Sequence, residues 1–212
     1  MAGGRGPGLP IVVGMTGATG AVYGIRALEA LRAAGVETHL VISEWAERTI
    51  VAETDRRPAD VRALATYVWD EGDLEAPPGS GSLRTRGMLV VPCSMKSLAA
   101  IAHGIGQSLI HRAADVTLKE GRRLLLLVRE SPLSVIHLEN MLAVARAGAL
   151  IVPPVPAFYA RPRTIDELVD HTVGRVLDHF DVPHDLVRRW GERRAPGWVP
   201  RVEPGGADAP RA

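Results

Sequence analysis

Leu124 to Val128 is an unbroken run of five apolar residues, and two charges, Arg129 and Glu130, follow it directly. A strand with one face in water alternates apolar and polar side chains, whereas a strand covered on both faces does not. The run therefore predicts a strand buried on both faces, as in a parallel sheet sandwiched between helices. In open sheets of that kind, ligands bind just beyond the carboxyl ends of the strands. Arg129 and Glu130 thus stand where such a fold does its chemistry, although by position alone they also read as a solvated loop pair. Ser131 reads as a helix cap with Pro132 at the first helical position, where a missing N–H costs nothing.

The other elements fall into place around that strand. Ile11–Gly14 is a short buried strand, and a Gly-rich turn from Met15 to Gly24 opens a helix that runs to about Ala34 and stops at Gly35. Glu37–Ile42 is the second strand, completing a βαβ unit with a right-handed crossover. Ser43 caps a helix over Glu44 to about Glu53, and residues 58–68 read as another helix. The stretch from Leu74 to Arg86 is rich in Gly, Pro and Ser and reads as a mobile loop. Met88–Val91 is the third core strand and leads through Pro92-Cys-Ser-Met-Lys-Ser97 into a small-residue helix, Leu98–Ala102. Leu109 to Glu120 is helical, with Arg112, Asp115 and Lys119 spaced to pair along one face. A helix from about Ser134 to Ala147, a fifth strand over Ala149–Val152, a Pro-fixed segment to Tyr159 and a long helix over Ile165–Phe180 follow. Residues 1–10 and 192–212 read as disordered tails around one domain, 11–191.

Composition narrows the function classes. Hydrophobic residues make up 46% and charged residues 23%, ordinary for a globular protein, and only nine side chains are aromatic, so Leu, Val, Ile and Ala must fill the core. A net charge of +1 argues against a phosphate backbone as the main partner. No apolar run approaches the ~20 residues of a membrane span, and the first ten residues lack the apolar region of a signal peptide. A cytoplasmic protein is the expectation. The single cysteine, Cys93, excludes an intrachain disulfide and reads as structural. The histidines show no metal-ligand spacing, so no metal site is expected.

The Gly-rich turn admits two readings. Small residues let the backbone approach a phosphate at a helix N-terminus, but Gly14, Gly17 and Gly20 do not spell a dinucleotide fingerprint and no Walker lysine is present. A mononucleotide phosphate and a tight turn with close helix–sheet packing remain open. Ser94, Lys96 and Ser97 suit an anionic or polar ligand, with Ser94 as a plain helix cap the alternative.

Eight segments in order carry a resemblance: Gly14 to Gly24, Ala52 to Asp55, Pro92 to Ala100, Arg112 to Glu120, Arg129 to Ser134, Ile136 to Met141, Pro156 to Tyr159, and Arg189 to Gly191. Together they resemble the UbiX-type flavin prenyltransferases, a flavoprotein family that also includes fold-related cysteine decarboxylases. The resemblance spans residues 11–191 and is weak over 56–86. It implies an α/β fold, a single three-layer flavodoxin-like or Rossmann-like domain with a mainly parallel sheet and helices on both faces. It also implies metal-independent joining of a dimethylallyl group from dimethylallyl monophosphate to reduced FMN, which is bound as substrate. One bond forms at the central-ring nitrogen flanking the benzenoid ring and a second at the adjacent benzenoid carbon. The prenylated FMN serves a UbiD-type decarboxylase, and members assemble as homododecamers with interfacial active sites.

Carried over by position, Gly17, Ala18, Thr19, Ser43, Ser94, Met95, Lys96, Ser97 and Arg129 contact FMN. Arg112, Lys119, Glu130, Tyr159 and Arg175 surround the prenyl phosphate and Glu53 and Trp190 complete the substrate site, with Glu130, Glu53 and Lys119 as the catalytic groups. The chain departs from the usual family residues at Thr19 (Ser), Ser108 (Asn), Gly121 (Arg) and, against some relatives, Leu74 (Trp). Two alternatives share the fold. A cysteine decarboxylase would carry a Pro-Ala-Ser-Ala-Asn turn where this chain has Pro92-Cys-Ser-Met-Lys, and a non-enzymatic FMN carrier would need no second anion site.

Overall fold

A computed structural model describes residues 8–187. Trp190 and most of both predicted tails lie outside the described residues. Six strands form one sheet: β1 (Ile11–Met15), β2 (Thr38–Ile42), β3 (Tyr67–Trp69), β4 (Gly87–Cys93), β5 (Arg123–Val128) and β6 (Leu150–Ile151). All pairings are parallel and the order is β3-β2-β1-β4-β5-β6. This is the Rossmann order; without the short edge strand β3 it reduces to the flavodoxin order, so both labels apply.

Among the described residues, seven α-helices cover the two faces: α1 (Ala21–Ala33), α2 (Glu44–Glu53), α3 (Pro58–Arg62), α4 (Met95–Ala102), α5 (Leu109–Lys119), α6 (Val135–Arg146) and α7 (Ile165–Asp178). Side chains alternate faces along each strand, and the core divides accordingly. Val13, Met15, Leu89, Leu125 and Leu127 pack with α1, α2 and α7. Val12, Met88, Val90, Leu124 and Leu126 pack with α4, α5 and α6. The run that predicted a doubly covered strand is buried from Leu124 through Val128. Gly24 brings α1 onto the sheet: a Cβ there would lie 2.6 Å from both Val91 O and Met15 Cε.

Three expectations need correction. The helix read over 58–68 ends at Arg62, and Tyr67–Trp69 is instead the edge strand β3. Trp69 Nε1 donates to His39 Nδ1 at 3.1 Å, and Thr38 and Thr66 exchange N–H to Oγ1 bonds, so side chains pin this short strand to β2. Ser131 and Pro132 do not start a helix. α6 begins after Ser134, whose hydroxyl accepts the His137 N–H while His137 Nδ1 accepts the Ser134 N–H, a reciprocal cap. The loop over 74–86 is tied down by donors from distant elements. Arg122 reaches Leu83 O and Gly81 O at 2.5 and 2.8 Å, and Arg112 Nε reaches Gly79 O at 3.1 Å.

Candidate active site

The direction in which strands are added to the sheet reverses between β1 and β4. From β1 the chain winds outward through β2 and β3, then crosses back to place β4 on the other side of β1. A crevice opens at the carboxyl ends of strands beside such a switch point. The turn after β1 and the turn after β4 meet there and are held by one residue, Thr16. Its N–H and Oγ1 both donate to Pro92 O, at 3.2 and 2.9 Å, and its Oγ1 accepts the Ser94 N–H at 2.8 Å.

Four adjacent strand ends carry the expected flavin contacts. Ser43 follows β2, with its N–H on Met15 O and its hydroxyl accepting the Ala46 N–H. Gly17, Ala18 and Thr19 follow β1. Ser94, Met95, Lys96 and Ser97 follow β4 and open α4, where Ser94 Oγ accepts the Ser97 N–H at 3.3 Å. Arg129 follows β5, its N–H on Cys93 O at 3.2 Å. Strands lie ~4.8 Å apart, so the row extends roughly 15 Å. The N–H groups of Met95 and Lys96, in the first turn of α4, have no carbonyl four residues back within the helix, which suits an anionic oxygen. Gly17 admits no side chain, since a Cβ would overlap that of Trp45. These features fit FMN. Burial pushes the Tyr23 phenol on α1 up, and the Arg129 charge opposes that push.

Glu53 belongs to the same edge. Its Oε2 accepts the N–H groups of Gly20 and Ala21 at 2.8 and 3.0 Å, so α2 supplies a carboxylate cap to the positive end of α1. Glu130 stands next to Arg129, and its Oε1 accepts the Ser131 N–H at 2.9 Å. Beside the crevice, a cleft of about 520 Å³ is lined by Lys96, Ser108, His111, Glu44 and Trp69 among others. Cys93 is fully buried and its thiol is pushed up to about 12 by burial, in keeping with a structural role.

The other basic groups gather differently. Tyr159 OH lies 3.0 Å from His171 Nε2, with the rings edge to face, and Arg175 sits one turn beyond His171 on α7. Arg112 and Lys119 lie on α5, across the sheet from α7. Each pairs with a local acid: Arg112 with Asp115 at 2.8 Å, Lys119 with Glu120 at 2.6 Å and Arg175 with Asp178 at 2.8 Å. The expected Asp115–Lys119 pair is therefore replaced by Lys119–Glu120. Lys119 ends α5 just before β5 starts, and Phe180, just past α7, packs against Gly87 at the start of β4. Lys119 and Arg175 thus lie toward the amino edge of the sheet and on opposite faces. One chain does not bring them to the crevice.

A model of the flavoprotein family matches residues 4–177. The chain is 57% identical over 186 residues to a probable UbiX-like flavin prenyltransferase of Streptomyces sp. (strain D7), covering 87% of this chain and 93% of the relative. The crystal structure of AnUbiX in complex with FMN and dimethylallyl pyrophosphate is 58% identical and superposes with a TM-score of 0.86, covering 88% of this chain and all of that one. This chain belongs to the UbiX-like flavin prenyltransferase family. A dodecameric FMN-dependent UbiX-like decarboxylase from Escherichia coli O157:H7 is 55% identical, with a TM-score of 0.84 over 86% of this chain and 99% of that one. An FMN-dependent cysteine decarboxylase of thioviridamide biosynthesis, 14% identical with a TM-score of 0.56, shares the fold alone.

Against the family pattern, Ser108 is a conservative departure: its hydroxyl caps α5 by accepting the His111 N–H at 3.4 Å, a role Asn also fills. Thr19 is exposed. Sequence reasoning missed Thr16, His111 and His171. The spacing of His171 and Arg175 on one helical face was a readable signal. The hydrogen-bonding of Thr16 to a turn 76 residues away left none.

Proposed function

We propose that this chain joins a dimethylallyl group to the reduced form of FMN, with dimethylallyl monophosphate as donor. The observation that carries this reading is the 58% identity, over 88% of the chain, to a structure that holds FMN and dimethylallyl pyrophosphate. Reduced FMN supplies the electron-rich ring nitrogen and the adjacent benzenoid carbon that accept the dimethylallyl group. The chain's residues have three tasks.

The crevice residues Gly17, Ala18, Thr19, Ser43, Ser94, Met95, Lys96, Ser97 and Arg129 bind and orient FMN. Arg112, Lys119, Tyr159 and Arg175 hold the donor phosphate and stabilise the charge that it gains as the allylic C–O bond breaks and its electron pair leaves with oxygen. The guanidinium forks and the ammonium suit that role differently, Arg as a planar donor pair and Lys as a compact charge. Glu130 takes part in the loss of the ring-carbon proton as the second bond forms, with Glu53 as a second proton-handling group. Trp190 offers an aromatic face to the cationic allylic fragment.

Because one chain separates Lys119 from Arg175, this reading requires a second copy to complete the donor site. A dodecamer like that of the Escherichia coli relative would supply it. Val135, Ile136, Leu138 and Leu142 are exposed on α6, and Phe158 and Ile165 are more than 70% exposed. The run of exposed apolar side chains along α6 suits an interaction face. The product then serves a UbiD-type decarboxylase. A reducing cytoplasm fits both the lone cysteine and reduced FMN.

The test is anaerobic incubation of the protein with reduced FMN and dimethylallyl monophosphate, followed by mass measurement of the extracted flavin. A mass gain of one dimethylallyl unit supports the reading. An unchanged mass overturns it, and binding without transfer would favour an FMN carrier.

A further inference from the structure

Ser97 lies at the end of a hydrogen-bond chain whose direction decides what it can offer a ligand. Thr16 accepts the Ser94 N–H at 2.8 Å, and Ser94 Oγ accepts the Ser97 N–H at 3.3 Å. Ser94 gives its own hydroxyl proton to Ser97 Oγ at 3.3 Å. The last member is His111, whose Nε2 lies 3.2 Å from Ser97 Oγ. His111 is only 8% exposed, and its buried Nδ1 has no hydrogen-bond partner among the described residues.

A hydroxyl has one proton and two lone pairs. If His111 carries its proton on Nδ1, its Nε2 takes the Ser97 proton, and Ser97 has none left to donate. That tautomer also buries an orphaned N–H, among the rarest defects in folded proteins. With the proton on Nε2, Ser94 and His111 fill both lone pairs of Ser97 Oγ. Its O–H then remains for the crevice, and the orphan at Nδ1 is a lone pair, the milder defect. Burial first, and the Lys96 charge second, push the imidazole below its ordinary 6.5 and so keep it neutral.

We propose that His111 is a positioning residue which, as the Nε2–H tautomer, fills the acceptor side of Ser97 and commits the Ser97 hydroxyl to donate to FMN. The inference rests on the reading of the crevice as the FMN site. His111 touches no reacting atom in it and acts only through Ser97. No proton moves.

The test is FMN affinity, read from quenching of flavin fluorescence on the full-length protein. His111→Phe keeps the ring and removes the donor, and it should weaken FMN binding roughly three- to tenfold, the value of one net hydrogen bond. His111→Gln, whose amide reaches the Nε2 position, should restore affinity to within about twofold of wild type. In a Ser97→Ala background, His111→Phe should cost nothing further, because the pathway it acts through is gone. An equal loss in both backgrounds, or no loss in the first, overturns the inference while leaving the FMN reading intact. Failure of the wild-type protein to bind FMN overturns both. Should the Phe variant not fold, neutron diffraction of the wild-type FMN complex decides: a deuteron on Nε2 supports the assignment, and one on Nδ1 overturns it.

Discussion

The crevice at β1 and β4 and the basic groups on α5 and α7 are built on different principles. The crevice is made of backbone turns, small residues and short hydroxyl side chains, and four adjacent strands bring it together within one chain. The basic groups are long side chains on opposite faces of the sheet, and each is paired with an acid three residues away or next in the chain. Such exposed pairs contribute little to stability, typically under ~1 kcal/mol, so they can be exchanged for a phosphate at low cost. On the proposed reading, the flavin half of the site is a property of the fold, whereas the donor half needs a second copy of the chain.

Separating the halves gives the largest effects. Glu130→Gln should lower prenyl transfer by about 10²- to 10⁴-fold, the range for a lost proton-transfer group, while FMN affinity stays at the wild-type value. Steady-state turnover and flavin titration on the same preparation check both parts. Wild-type turnover would remove Glu130 from its role. Lys119→Met and Arg175→Met should each cost on the order of 10²-fold in turnover, as removal of one charge-stabilising donor does, again without loss of FMN. Weakened FMN binding in either variant would break the division between the two halves.

A smaller effect tests the crevice alone. Thr16→Val removes the hydroxyl that ties the two turns, and leaves the Ser94 N–H without its partner. A buried donor left unmade costs about 1–3 kcal/mol. Thermal unfolding should report a lower Tm, and FMN should bind more weakly. An unchanged Tm would show that Thr16 N–H alone holds the turns together.

The legibility of the two regions differed in the same way. Turn residues, apolar runs and caps are local signals, and the strands, the Gly-rich turn and the Ser94 cap could be read from them. The three-residue strand β3 was read as the end of a helix because Tyr67-Val-Trp69 is too short to show a period. Its β-forming composition was the available clue. Ser131 and Ser134 both resemble caps, and the reciprocal pair of bonds between Ser134 and His137 distinguishes them. The loop over 74–86 looked mobile because its anchors, Arg112 and Arg122, lie more than 30 residues away. The donor set was legible only through its resemblance to a family, since no local pattern links α5 to α7.

The smallest effect concerns pH. Burial lowers the titration of His39 and of His111 below the ordinary 6.5, against a raising contribution from Glu37 for His39 and with help from Lys96 for His111. The unfolded chain therefore takes up these protons first as pH falls. Their contribution to stability is full above about 6.5 and is lost as pH drops from there toward the lowered folded values. Tm measured from pH 7 to pH 5 should decline, and His39→Phe should flatten part of the slope. A Tm that rises on acidification would contradict the assignment of both rings as buried and neutral.

The most direct measurement of the split between chains uses mixed assemblies. Lys119→Met and Arg175→Met subunits, each about 10²-fold impaired on its own, are co-expressed with different tags and purified through both. If the donor site draws Lys119 from one copy and Arg175 from another, prenyl transfer should recover to about a quarter of wild type, the statistical share of interfaces that unite two intact groups. Mixed assemblies as impaired as either parent would contradict the account and place both groups in one chain's site.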